Sequence, residues 1–254
     1  MILRQYLLFA ALLATLPQAL ADTAPRIAII IDDLGYHLET GHRAIGLPGP
    51  LAYAILPGTP RGRLLAEAAH RNGKEVLLHL PLQAIEQPRW TEPGGITLDM
   101  SETALRDAFA AALESVPFAI GVSSHRGSLL TRHPGHMFWL MQEIRARDDL
   151  FFIDSYTTHK SIALQVAREA GVVATKRDVF LDADPSPEAL AREFRRLKTM
   201  ARQRGIAVGI GHPYPETLDF LERELRILDR DEFRLVPVSE ALQSFVEPAV
   251  ASTL

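Results

Sequence analysis

Residues 27–31 read Ile-Ala-Ile-Ile-Ile, and the next four are Asp32, Asp33, Leu34 and Gly35. A run this apolar and β-branched is a strand buried on both faces, as in a parallel sheet covered by helices. Two adjacent carboxylates at the end of such a strand resist joint ionisation. Either one stays protonated or a cation sits beside them. In α/β proteins, sites are built at the carboxyl ends of the strands. The plainer alternative, that one acid merely caps the following turn, is weighed by what other strands bring to the same end.

The rest of the chain repeats the unit. After the first strand, residues 37–45 form a short helix stopped by Gly46 and Pro48. Strands are predicted at 51–56 (LAYAIL), 75–80 (EVLLHL), 118–122 (FAIGV), 150–153 (LFFI), 172–175, 180–182, 206–210 and 234–238. Helices fall between them at 61–71, 101–115, 135–147, 160–170, 186–204 and 215–228, and a last one follows from Ser239. Ser101 and Ser186-Pro187 are helix-start signals. Residues 83–97, with Pro88, Pro93 and Gly94-Gly95, form a long loop, and loops of that length are often functional. No linker, repeat or low-complexity tract interrupts the alternation. The expectation is one α/β domain over 22–254, and regular alternation favours a (β/α) barrel of seven to eight mostly parallel strands over an open sheet.

Composition excludes some functions. A net charge of −4 and no basic stripe argue against nucleic acid as a partner. The cluster Arg192, Arg195, Arg196, Lys198, Arg202 and Arg204 has the spacing of a solvated helix face. Arg4, an apolar run over 6–13, Pro17 and Ala19-Leu20-Ala21 have the form of a secretory signal peptide cleaved after Ala21. That run is shorter than the about 20 residues a transmembrane helix needs, and no later segment suffices, so the mature chain has no membrane span. Cysteine is absent, which removes thiol catalysis and suits an oxidising compartment. The periplasm is the expected location.

The polar residues carry the functional signal. Asp32-Asp33, His79, His125, Asp154 and His212 each fall at or just past the end of a predicted strand. One strand-end histidine is more often a hydrogen-bonded core residue than a ligand. Five strands delivering Asp or His to one end would converge at a barrel mouth. His37, His42, His70, His133 and His136 lie in helices or loops and suit solvated roles, while His159 precedes a helix. Carboxylate with imidazole suits zinc or another first-row divalent metal, and one Asp with two His leaves positions open for water and substrate. The neighbouring acid is then available as a base.

IAIIIDDLGY, EVLLHLPLQ, GVSSHRGSLLT, FFIDSYTTHKS, VFLDAD and AVGIGHPYPETL, in this order, resemble the successive motifs of the divergent polysaccharide deacetylases, distant relatives of the family 4 carbohydrate esterases. The resemblance spans about residues 26–238 and implies a distorted (β/α) barrel. It implies that Asp32 is the catalytic base, that Asp33 and His79 bind the metal, and that His212 is the general acid. Where the esterases carry a second metal histidine four residues after the first, this chain has Gln83, and His125 is the candidate replacement. Asp154 and Arg177 would orient the base or His212. The family's Asn-Asn-His-Met-Gly-Ser is here Ser123-Ser124-His125-Arg126-Gly127-Ser128, and its Asp-Ser-Arg-Thr has Tyr156 in third place. Arg126 would bring positive charge beside the metal, either for an anionic substrate or in place of the cation Tyr156 lacks.

The activity implied is hydrolysis of an N- or O-acetylated envelope polysaccharide with a divalent metal, zinc first. Asp33, His79 and His125 would hold the metal, and Asp32 and His212 would move protons. Asp154, Arg126, Ser128, Arg177 and Trp90 would surround the substrate, with Trp90 on the long loop able to stack on a sugar ring. The rivals are a catalytically degenerate glycan-binding or envelope-assembly protein on the same fold and a metal hydrolase of another amide or ester. A serine nucleophile is disfavoured, because Ser123, Ser124 and Ser128 lie near His125 without a G-x-S-x-G elbow.

Overall fold

The computed structural model describes residues 24–86, 92–147, 149–228 and 232–246. Residues 1–21, read above as a signal peptide, and Trp90 lie outside the described residues. The strands are β1 (Arg26–Leu34), β2 (Ala52–Ile55), β3 (Glu75–Leu82), β4 (Ala119–Arg126), β5 (Phe151–Asp154), β6 (Ala174–Lys176), β7 (Val179–Phe180), β8 (Ile206–Gly211) and β9 (Arg234–Leu235). The helices are α1 (Leu38–Ile45), α2 (Gly62–Arg71), α3 (Glu102–Ser115), α4 (Pro134–Arg145), α5 (Ala163–Glu169), α6 (Pro187–Arg204), α7 (Pro215–Leu225) and α8 (Val238–Val246). Every strand pairing is parallel. The order across the sheet is β6-β5-β4-β3-β2-β1-β8-β7, with β9 against the start of β1. This is the distorted (β/α) barrel.

The ends of that order, β6 and β7, are consecutive in the chain and separated only by Arg177 and Asp178. Arg177 N donates to Asp154 O on β5, whereas Asp178 N donates to Val208 O on β8. The chain therefore changes partner between two adjacent residues and spans the seam itself. The Asp178 carboxylate accepts from Val208 N at 2.9 Å and from Arg204 at 2.9 Å, so the switch leaves no orphan donor there.

The apolar core divides by strand parity. Ile27, Ile29 and Ile31 belong to the large cluster shared with the surrounding helices. Ala28 and Ile30 belong to a second cluster with Ala52, Ala54, Leu77, Ile153, Val208 and Ile210, the concave interior of the curled sheet. Val238, Ala241 and Leu242 of α8 join this inner cluster, so α8 stoppers the amino-terminal end. Both faces of β1 are thus buried, which is what its unbroken apolar run requires.

Strands β3 and β4 run past their predicted ends. Strand β3 continues through Pro81, which lacks only the donor and accepts from Ile96 N at 2.9 Å. Strand β4 runs on through Ser123-Ser124-His125-Arg126, which read from sequence as a loop. The predicted final strand adds no position of its own, since β9 shares the β1 edge with β2.

Glu75 at the start of β3 accepts from Val238 N at 2.7 Å and from Ser239 N at 3.3 Å, and takes the Ser239 hydroxyl as well. It satisfies the first donors of α8 and favours the helix dipole. Glu75→Ala is expected to destabilise the protein by about 1–2 kcal/mol, read from urea unfolding at neutral pH.

Candidate functional site

Parity places the site residues. Residues 28, 30 and 32 share one face of β1, so Asp32 follows Ile30 into the barrel mouth. His79 follows Leu77 and His212 follows Ile210 in the same way. His125 lies on the face of Ser123, opposite to Val122 of the outer cluster. Asp33 should face the helices by the same rule. It does not, because its backbone is left-handed at φ 61°, a conformation aspartate tolerates better than most residues. The β1–β2 register slips between Ile31 and Leu34, a bulge that turns Asp33 inward as well.

Three ligand atoms meet there. Asp33 Oδ1 lies 3.1 Å from His79 Nε2 and 2.9 Å from His125 Nδ1, and the two nitrogens are 3.1 Å apart. Metal bonds of about 2.0–2.1 Å put neighbouring ligands about 2.9–3.4 Å apart, the lower end octahedral and the upper tetrahedral. The triangle fits a divalent cation without selecting one geometry. Asp33 Oδ1 is buried, and among the described residues its polar neighbours are these two imidazole nitrogens, a donor set that suits a cation. Burial would raise the Asp33 pKa, but hydrogen bonding and charge from His125 and His79 outweigh it and hold the acid well below the carboxylate range.

Asp32 behaves oppositely. It is 2% exposed, and burial raises its pKa despite the opposing charges of His79 and His212. Its Oδ2 is 3.6 Å from His79 Nε2, and its Oδ1 has no protein partner among the described residues. On the other side, His212 Nε2 lies 3.7 Å from Asp33 Oδ2. Its Nδ1 is 2.9 Å from Asp182 Oδ1, while Asp182 Oδ2 accepts from His212 N at 2.6 Å and from Thr217 Oγ1 at 2.8 Å. The imidazole sits between Phe180 and Tyr214, at centroid distances of 5.2 and 5.5 Å. Burial opposes its charge, but Asp182, then Asp33 and Asp32, raise its pKa. A cavity of about 330 Å³ opens beside Asp33 and His212, lined also by Gly35, His37 and Tyr214.

A family model described as divergent polysaccharide deacetylase matches residues 29–242. The chain belongs to the divergent polysaccharide deacetylase family. An uncharacterized protein of Haemophilus influenzae is 36% identical over 206 residues, covering 81% of this chain and 73% of that protein. The uncharacterized protein YibQ of Escherichia coli is 35% identical over 248 residues, covering 97% and 75%. Among solved structures, uncharacterized ATU2773 from Agrobacterium tumefaciens superposes with a TM-score of 0.82 at 21% identity, covering 86% and 89% of the two chains. A T48 deacetylase solved with substrate gives a TM-score of 0.52 at 12% identity, covering 88% and 92%. These structures share the fold.

In this deacetylase-family chain Asp32, Asp33, His79, His125 and His212 come together, and the other candidates do not join them equally. Asp154 has the parity of Phe152 and faces the outer layer. It accepts from Ser161 Oγ at 2.6 Å and Tyr156 N at 2.8 Å, so it shapes the β5–α5 loop and orients neither Asp32 nor His212. Arg177 donates Nε to Ser155 O at 2.7 Å and Nη2 to Tyr156 O at 3.1 Å. Burial lowers its pKa, against the charges of Asp32 and Asp154. Ser128 pins the loop after β3, donating to Glu86 at 2.6 Å and accepting from Ile85 N. Arg126 Nε lies 3.0 Å from Glu92 Oε1 and 3.2 Å from His125 Nε2. Gln83, in the position of the esterases' second histidine, uses its side-chain oxygen to accept from Leu98 N at 2.7 Å.

Two acids went unassigned. Asp182 stands just past β7, and the strand-end rule applied to Phe180-Leu181-Asp182 would have found it. Glu92 is contributed by the long loop, where only the Pro93-Gly94 turn signal marked a defined position.

Asp182→Asn should return the His212 pKa toward about 6.5 in metal-free protein, read by NMR titration of the ring. The folded pKa is raised, so the pair contributes stability fully below the unfolded histidine value and loses it as pH rises through the folded one. Denaturation of the metal-free variant at pH 5.5 and 9 should accordingly show a smaller loss of stability with pH than the parent chain.

Proposed function

We propose that this chain is a periplasmic, divalent-metal-dependent deacetylase of an N- or O-acetylated envelope polysaccharide, with zinc as the metal. The observation that carries the reading is the convergence of Asp33, His79 and His125 on one point beside Asp32, whose Oδ1 has no protein partner among the described residues. Two imidazoles and one carboxylate suit zinc and leave coordination open. The periplasmic assignment rests on the form of residues 1–21 alone.

Asp33, His79 and His125 would hold the cation, which when bound would act as a Lewis acid toward the acetyl carbonyl and lower the pKa of water. Asp32 is placed to take the proton of the attacking water, and burial, which raises its pKa, makes it a stronger base than an exposed carboxylate. His212, held through Nδ1 by Asp182, presents Nε2 to the site with a proton for the leaving amine or alcohol. Water oxygen joins the acetyl carbon, the C–N or C–O bond breaks, and acetate and the freed sugar leave. Tyr214, half exposed on the cavity wall, offers an aromatic face to a sugar ring.

Asp32→Asn should lower acetate release about 10²–10⁴-fold while metal content, measured by mass spectrometry, stays at the parent level. A metal-loaded parent protein that binds acetylated glycans but releases no acetate would instead favour the degenerate binding protein. Fractionation of the native host with sequencing of the mature amino terminus should place the chain in the periplasm beginning at Asp22, and recovery with the cytoplasm would exclude that location.

A further inference from the structure

We propose that Glu92 is the positioning residue that makes His125 a metal ligand, by holding the His125 proton on Nε2 against the competing pull of Arg126. The inference rests on the metal-ligand reading above and concerns a residue outside the three ligands.

Glu92 comes from the loop between β3 and α3, yet its position is fixed. The sequence Glu92-Pro93-Gly94-Gly95 closes a turn in which Gly95 N donates to Glu92 O at 3.0 Å. Pro93 in second place and Gly94 at φ 75° in third match a type II turn. A side chain on Gly94 would also crowd Pro57. The next residue, Ile96, is laced to the end of β3 through Pro81 O and Gln83 N, both at 2.9 Å. The Glu92 side chain is thereby delivered, 8% exposed, onto the far side of the His125 ring.

His125 uses both nitrogens. Nδ1 points to Asp33 Oδ1 and His79 Nε2, and Nε2 lies 3.1 Å from Glu92 Oε1. A neutral imidazole carries one proton. To offer a lone pair at Nδ1, His125 must keep its proton on Nε2, and that proton needs an acceptor. Glu92 Oε1 is that acceptor. Arg126 Nε, 3.2 Å from the same Nε2, is a donor and favours the opposite tautomer, with the proton on Nδ1 where it blocks the cation. Glu92 settles the contest because its Oε1 also accepts from Arg126 Nε at 3.0 Å. One carboxylate oxygen takes both donors. Without it, Nε2 keeps the Arg126 Nε donor 3.2 Å away and loses its carboxylate acceptor.

The test is zinc affinity by competition with a chromophoric chelator, with ¹⁵N shifts of the His125 ring in the zinc-loaded protein as a second readout. The parent should show the Nε2–H tautomer. Glu92→Ala should bind zinc about 10–100-fold more weakly and shift the Nε2 resonance as its acceptor is lost. Glu92→Gln, whose carbonyl still accepts, should recover part of the loss. Arg126→Gln alone should not weaken binding, and adding it to Glu92→Ala should recover part of the affinity. Parent-like affinity in Glu92→Ala, an equal loss in Arg126→Gln, or no restoration in the double variant would overturn the proposal. A parent protein that binds no zinc, cobalt or nickel would overturn the ligand reading itself, a result distinct from those three.

Discussion

Everything at the mouth of this barrel follows from keeping two neighbouring carboxylates in different electrical states. Like charges on adjacent residues at a buried strand end cannot both be supported without compensation. The structure separates them through their surroundings. Asp33 has two imidazole nitrogens within 3.1 Å and is held ionised. Asp32 lies deeper, and burial pushes its pKa up. A carboxylate that stays charged thus stands beside one whose pKa is raised, and the distinction arises from environment alone. His212 completes the division, because Asp182 holds its Nδ1 while its Nε2 faces Asp33.

Much of this was legible from sequence, for a physical reason. The alternation of apolar runs with helical patterns fixes a parallel sheet, and parity then fixes which strand-end residues share a face. Asp32, His79 and His212 follow from that rule because Ile30, Leu77 and Ile210 are inner residues. The same rule tells against Asp154, since Phe152 is an outer one, and applying parity as well as strand-end position would have excluded it from the mouth.

The rest depends on backbone choices that residue types announce weakly. Asp33 reaches the site only through a left-handed conformation and a slipped register. Arg126 and Tyr156 adopt positive φ at the ends of β4 and β5, again where strands must stop and redirect side chains. Nothing in Ser123-Ser124-His125-Arg126 announces that β4 continues through it. Its partner Leu80-Pro81-Leu82 is broken by a proline that reads as a terminator. Glu92 was hidden because its partners are far away in sequence, and a turn motif says where the backbone bends without saying what it is bent toward.

The seam between β6 and β7 bears on how the chain behaves among its neighbours. A curled sheet that fails to close leaves two edge strands, and exposed edges are templates for pairing with other molecules. Here both edges belong to one continuous run, of three residues and then two, that bonds to β5 and then to β8. Neither edge is long enough to recruit a foreign strand, and neither can fray without pulling on the other. Asp178 adds a charge, and its carboxylate accepts from the Val208 amide where the chain changes partner. The discontinuity in the barrel therefore acts as protection against aggregation.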